Sequence, residues 1–438
     1  MENKFRSVIT SQEPDFLQML QKMMQVQSVK SNPSDNAPFG KGPKQALELV
    51  VKVGRSYGFK TGIINDAAAY VQWGDDDDHY IGIFGHLDVV PAGTNWSMPP
   101  FDLTKRGDRF YGRGILDNKG PSMACLYGMK LLKDMGVTMD HTIRLVFGSD
   151  EENGSADMIK YLDEESAPMY GFTPDCKYPA VYGERGIVNY AIKTPISKDE
   201  LKQFKILNPE AQSSDHVPDS VEALINQKEM TINGKRSPSN APEMGENALT
   251  LLAKELDDNQ SFKGQLGDYF HWLASLHGEH YGIGLGVEFA DEDSGRLIMT
   301  PYKLEIQSDS LVLFIAIRYP VSVTEDQVTK GIQKHVLPKS TIEIVRSMPG
   351  VMHSKDQFWI KQLSVAYEQA TGLDGTPVTT TGATYAREVP NIIAFGPSFP
   401  GQKGIAHKQD EYMDEQDLLA NMEIYMNAMV ALGQGKDD

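Results

Sequence analysis

YIGIFGHLDV, residues 80–89, is the stretch that decides the fold. An apolar run rich in Ile and Phe stops abruptly at Gly85-His86-Leu87-Asp88. A short run of this kind reads as a buried strand that delivers polar side chains at its C-terminal end. Positions i and i+2 of a strand point the same way, so His86 and Asp88 share a face. A His beside a carboxylate is how a metal ligand pairs with the group that orients its ring. Taken alone, the pair reads more readily as a strand-end His capped by an Asp, so the decision passes to the rest of the chain.

Working outward, the pattern repeats. YGRGILDNKG, residues 111–120, is a tightly folded glycine-rich turn around Asp117 that opens a helix over roughly 121–134. It matches neither phosphate-loop nor dinucleotide fingerprint. TIRLVFG, residues 142–148, is a second buried strand, and it ends in Ser149-Asp150-Glu151-Glu152-Asn153-Gly154-Ser155. Ser155 stands where it would cap the next helix. Three adjacent acids repel one another unless something positive neutralises them. Thr173-Pro174-Asp175-Cys176 offers one more carboxylate. Towards the end come a helix at about 356–371, the strand NIIAFGP, the turn Gly404–Glu411 carrying His407, and a helix to about 432. Upstream, helices are expected over 14–27, with Phe16, Leu20 and Met23 or Met24 on one stripe, and over 44–57. Asp75 to Asp78 reads as a solvated hairpin tip.

Strands alternating with helices, with polar clusters at strand C-termini, are the α/β pattern. The character changes over 188–350. There IVNYAIKT, MTING, LVLFIAIRYP and TIEIVRS read as strands, and VEALINQ, ENALTLLAKELDD and EDQVTKGIQKHV as helices. The expectation is therefore an α/β catalytic domain built from 1–187 and 351–438, interrupted by an inserted α+β unit over 188–350.

Composition sets the outer bounds. At 438 residues the chain exceeds one ordinary core. A net charge of −18 argues against nucleic acid or an anionic membrane as partner. The N-terminal stretch lacks an apolar signal core, and no run approaches spanning length. Two cysteines make no disulfide framework, which fits a reducing cytoplasm.

His86, Asp88, Asp117, Glu151, Glu152, Asp175 and His407 all fall at strand ends or in adjoining turns. Two histidines and several carboxylates without a thiolate suit zinc, manganese or cobalt. There are more ligands than one tetrahedral ion uses, so two ions sharing a bridging carboxylate account for the surplus. One carboxylate should stay unbound as general base. The Glu151-Glu152 doublet suits that division, because neighbours on an extended segment point apart.

GHLDVVP, WSMPPF, YGRGILDNKG, SDEENG and IAHKQDEY together resemble the co-catalytic metallohydrolase family of aminoacylases, succinyl-diaminopimelate desuccinylase and PepV-type bacterial dipeptidases. TPDCKYPAVYGERG and GATYAR point to the PepV-type branch. The resemblance implies an α/β catalytic domain with a mixed sheet, a dinuclear site and an inserted lid. It implies two divalent ions, zinc foremost. His86 and Asp175 hold one, Glu152 and His407 the other, and Asp117 bridges both across a cis peptide to Asn118. Glu151 becomes the base that activates a bridging water, and Asp88 orients His86. The expected substrate is a small peptide, whose carboxylate Arg318 of the lid binds. The oligomer is left open between monomer and homodimer.

The sequence departs from that family in the lid. Asp215 stands where the family has an Asn, and Pro238 where it has an oxyanion-stabilising His. His216, beside Asp215, is the natural substitute. Dipeptidase, N-acyl amino acid deacylase, and a metal-bound peptide-binding protein with weakened catalysis are the readings that follow.

Overall fold

The computed structural model describes residues 5–402 and 405–435. Gly404, at the head of the His407 turn, and the first four residues of the N-terminal stretch lie outside them. The chain separates into two compact units. One comprises Met1–Tyr182, His353–Val378 and Gly382–Asp438, the other Gly183–Met352 and Thr379–Thr381.

The first unit is built on a mixed sheet. Its centre is four parallel strands in the order Thr142–Gly148, Tyr80–His86, Tyr170–Thr173 and Ile392–Ala394. All seven residues of both Tyr80–His86 and Thr142–Gly148 are buried. That is the signature of parallel strands covered on both faces. Alternation along the strand sorts the faces: Ile81 and Ile83 join the larger core, while Tyr80 and Phe84 join a smaller one with Met158, Tyr161, Tyr385 and Val389. His86 continues the even-numbered face. The helices Arg6–Met24, Lys119–Asp134, Phe358–Thr371 and Glu415–Gly433 bury their apolar stripes in the larger core. Among the described residues no helix is long and apolar enough to cross a membrane.

Three local expectations are corrected in this unit. The first helix spans Arg6–Met24 and runs through Pro14, where the sequence pattern placed its start. Asp75–Asp78 is no hairpin tip, because Ala68–Trp73 and Tyr80–His86 both pair with Thr142–Gly148 rather than with each other. Its Asp77 accepts from Lys60 at 2.5 Å and from Gln72 at 2.9 Å. Ser155 precedes the helix Ala156–Leu162 but its side chain makes no cap bond, since its backbone sits in the left-handed region at φ 58°.

The second unit has its own core, with Val188, Leu252, Phe270, Ile315 and Ile317 among its members. A four-stranded antiparallel sheet runs in the order Ile298–Gln307, Ser310–Tyr319, Gly186–Pro195, Thr341–Met348. A smaller sheet joins Phe204–Ile206, Ser220–Ile225 and Lys228–Asn233. VEALINQ is therefore a strand and not a helix. Val221, Ala223 and Ile225 alternate inward, and Asn226 and Gln227, both at positive φ, turn the chain back. Val221, Leu224 and Ile225 also fit a helical spacing, and over so short a run periodicity alone does not separate the two. The helices Ala248–Asp258 and Glu325–His335 are capped by Asn247 and Thr324.

Candidate metal centre

His86 ends its strand fully buried, with both ring nitrogens engaged. Nε2 lies 3.0 Å from Asp117 Oδ1 and 3.5 Å from Asp175 Oδ2. Nδ1 faces the Asp88 main-chain carbonyl at 3.0 Å and its carboxylate at 3.4 Å. The Asp88 carboxylate has a further task. Its two oxygens accept the N–H groups of Glu151 and Glu152, each at 3.2 Å. Asp88 thus orients His86 chiefly through its carbonyl and anchors the acidic doublet through its side chain.

Glu151–Asn153 is a single 3₁₀ turn, not an extended segment. With three residues per turn, successive side chains point roughly 120° apart, so the doublet still separates its two carboxylates. Glu152 meets His407, whose Nε2 lies 3.0 Å from Glu152 Oε2 and 3.1 Å from Asp117 Oδ2. His407 itself sits in the left-handed region, φ 63°. Asp117 therefore touches both imidazoles. Its peptide to Asn118 is cis. Asn118 Nδ2 donates to the Pro174 carbonyl at 2.6 Å and to Asp175 Oδ1 at 3.3 Å, tying the Asp175 loop to the Asp117 turn.

Donor atoms of His86, Glu151 and Asp175 lie within 4.8 Å of one another, as do those of His86, Asp117 and Glu152. Asp117, Glu151, Glu152, Asp175 and His407 line one open cavity of about 270 Å³ with Cys176, Gly382 and Thr384.

The charges are not at ease with one another. Burial raises the Glu151 carboxyl well above its ordinary range, and Asp175 adds to the rise. Glu152 is pushed up to about 7 by burial and by Asp117. Asp175 is raised by the same two causes. Burial works to raise Asp117 as well, but hydrogen bonds from His407 and His86 overcome it and hold this carboxyl well below its usual value. His407 is pushed up to about 11 by Asp117 and Glu152. Four carboxylates and two imidazoles crowded this closely fit multivalent cations, which relieve the repulsion among the acids.

Sequence reasoning missed the groups behind the doublet. Buried Asp157 accepts the N–H of Ser149 at 2.6 Å and of Asp150 at 2.9 Å, and the Tyr385 hydroxyl at 2.5 Å. The Tyr385 ring stands edge-on to His86, centroids 6.3 Å apart. Gly148 is needed here, since a Cβ on it would lie 1.8 Å from the Tyr385 hydroxyl. GATYAR was visible in the sequence, but nothing local joined Tyr385 to Asp157.

Asp215, His216 and Arg318 belong to the second unit. Arg318 lies on Ser310–Tyr319, between Ile187 and Ile298 of its neighbours. His216 is buried and bridges Pro238 as its antiparallel partner. Its Nδ1 faces Asp215 Oδ1 at 2.8 Å and Arg236 Nη2 at 3.0 Å.

Comparison with known proteins returns one family. The model of peptidase family M20/M25/M40 matches residues 82–431. A Bacillus subtilis (strain 168) protein named "Putative dipeptidase YtjP" is 29% identical over 467 residues, spanning 97% of this chain and 99% of that one. A Staphylococcus haemolyticus (strain JCSC1435) protein named "Putative dipeptidase SH1171" is 28% identical, spanning 98% and 99%. Among solved structures, human carnosine dipeptidase 1 superposes with a TM-score of 0.61 at 14% identity over 98% of both chains. The di-peptidase Dug1p of Saccharomyces cerevisiae gives 0.62 at 14% identity over the full length of both. At that identity the likeness establishes the fold, a mixed-sheet α/β domain with an inserted lid.

Proposed function

We propose, from the premise that this chain belongs to peptidase family M20/M25/M40, that it hydrolyses the amide bond of dipeptides at a centre of two divalent cations. The observation that carries this reading is the meeting of His86 and His407 on one carboxylate, Asp117, flanked by Asp175 and Glu152. His86 and Asp175 would hold one ion, Glu152 and His407 the other, and Asp117 both. Zinc is the first choice for this donor set, with manganese and cobalt as alternatives. When bound, the ions supply Lewis-acid polarisation of the scissile carbonyl and make water more acidic. Glu151 takes the proton from the attacking water and returns it to the departing amine. Asp88 keeps the doublet in place by holding both of its amides. Dipeptides are the chosen substrates because relatives matching nearly the whole chain carry that name. A cytoplasmic setting fits a chain of 438 residues with only two cysteines.

Asp215 and Pro238 favour a second reading, a peptide-binding protein with weakened catalysis. A dipeptide panel set against N-acyl amino acids, with zinc and then manganese, separates dipeptidase, deacylase and binder. Elemental analysis after reconstitution should find about two ions per chain, as a bridged pair requires. A value near zero would sink the hydrolase reading, and a value near one the bridged pair.

Arg318 is proposed to bind the substrate's α-carboxylate, for which a guanidinium offers a two-pronged match. Arg318→Met should raise KM for dipeptides about 10- to 100-fold, in line with roughly 1.5–3 kcal/mol for hydrogen bonds to a charge. Amidated analogues should change far less. An equal effect on both would make Arg318 structural.

A further inference from the structure

Glu411 follows His407 by four residues and is fully buried. Its carboxylate gathers four donors. Arg113 Nη1 donates to Oε2 at 2.7 Å. The N–H groups of Gly114, Leu116 and Asp117 donate to Oε1 at 3.1, 2.9 and 3.1 Å. Three amides converge on one oxygen because the backbone turns through Gly114 at φ 93°, a conformation that other residues rarely adopt. The contact is doubled in the main chain, where Gly112 N–H donates to the Glu411 carbonyl at 3.1 Å. Next door, Asp410 accepts the Ser97 N–H and hydroxyl, both at 2.9 Å. Arg113 in turn lies over the Trp96 ring, 5.2 Å from its centroid. The stretches around Trp96 and Asp117 are thus joined, at one buried carboxylate, to the His407 stretch far along the chain.

Stability alone is a weak reason for such an arrangement. A buried Arg–carboxylate pair often does no better than apolar groups of the same volume. What the carboxylate does uniquely here is fix the Asp117 amide with one oxygen, while its own backbone continues from the His407 turn. We infer that Glu411 is a positioning residue that sets the Asp117 carboxylate against His407, so that the two can share a cation. This rests on the two-ion reading above. A Gln in its place has one acceptor oxygen and an NH₂ group. Whichever way it is turned, a donor faces either Arg113 or the three amides.

The test is Glu411→Gln, with Glu411→Asp beside it. Asp keeps the charge, and with it the better chance of folding, but is too short to reach all four donors. Zinc affinity is measured by competition with a chromophoric chelator, together with the melting temperature and the separate kcat and KM on a dipeptide. Both variants should lose about 10- to 100-fold in affinity for at least one ion, the range seen when groups supporting metal ligands are removed. The loss in turnover should fall on kcat, with KM near wild type. A merely structural Glu411 would lower the melting temperature and leave zinc affinity of the folded protein unchanged. That result, with wild type binding two ions, overturns this inference alone. A wild-type chain that binds no divalent ion overturns the two-ion reading and this inference with it.

Discussion

Glu151→Gln is expected to abolish turnover, by about 10²–10⁴-fold, while ion content stays at the wild-type level. Gln keeps the shape of the side chain but cannot take a proton at neutral pH. The geometry makes the separation of roles testable. Glu152 meets His407 at 3.0 Å, whereas Glu151 leans towards His86 and Asp175. Glu152→Gln should accordingly reduce ion occupancy in addition to activity. Elemental analysis of both purified variants, beside their steady-state rates, reads the difference. An exchange of the two phenotypes would reverse the assignment within the doublet.

His216→Ala is expected to lower kcat by about 10²–10³-fold, the usual effect of removing one oxyanion donor. In the resembling family that donor is a His at the position of Pro238. Here the chain brings His216 directly across from Pro238 as its bridge partner, framed by Val217 N–H to the Ser237 carbonyl at 2.8 Å and Ser239 N–H to the Asp215 carbonyl at 3.0 Å. His216 Nδ1 is taken up by Asp215 Oδ1 at 2.8 Å and Arg236 Nη2 at 3.0 Å, so donation to an oxyanion falls to Nε2. Proline supplies no N–H of its own and fixes the local backbone. If His216 has taken over the role, Pro238→His should add little to the wild-type rate. The outcome that defeats this assignment is a His216→Ala enzyme at full kcat. In that case Pro238→His should accelerate the wild type. Failure of both substitutions to alter kcat would remove this strand pair from catalysis altogether.

The sequence by itself determined the elements whose signals are local. Tyr80–His86 and Thr142–Gly148 were legible as buried strands because an unbroken apolar run that stops at a polar cluster has few other meanings in an α/β chain. The same stops marked His86 and the Glu151-Glu152 doublet, and the motifs around Asp117, Asp175 and His407 completed a candidate set whose acids and His407 the fold brings to one cavity, with buried His86 against Asp117 and Asp175. What the sequence could not determine depends on pairings across long separations. VEALINQ carries apolar residues that satisfy both a helical and a strand period, and only the flanking strands Phe204–Ile206 and Lys228–Asn233 select the second. The doublet was legible as a doublet, yet its 3₁₀ turn is set by Asp88 and Asp157 capturing successive amides. Tyr385 and Asp157 are 228 residues apart, and Glu411 and Asp117 are 294 apart. No periodicity spans such distances. A buried carboxylate finds its donors only after the loops that carry them have been folded against one another, so the tertiary structure alone decided which acids face the cavity and which hold the backbone behind them.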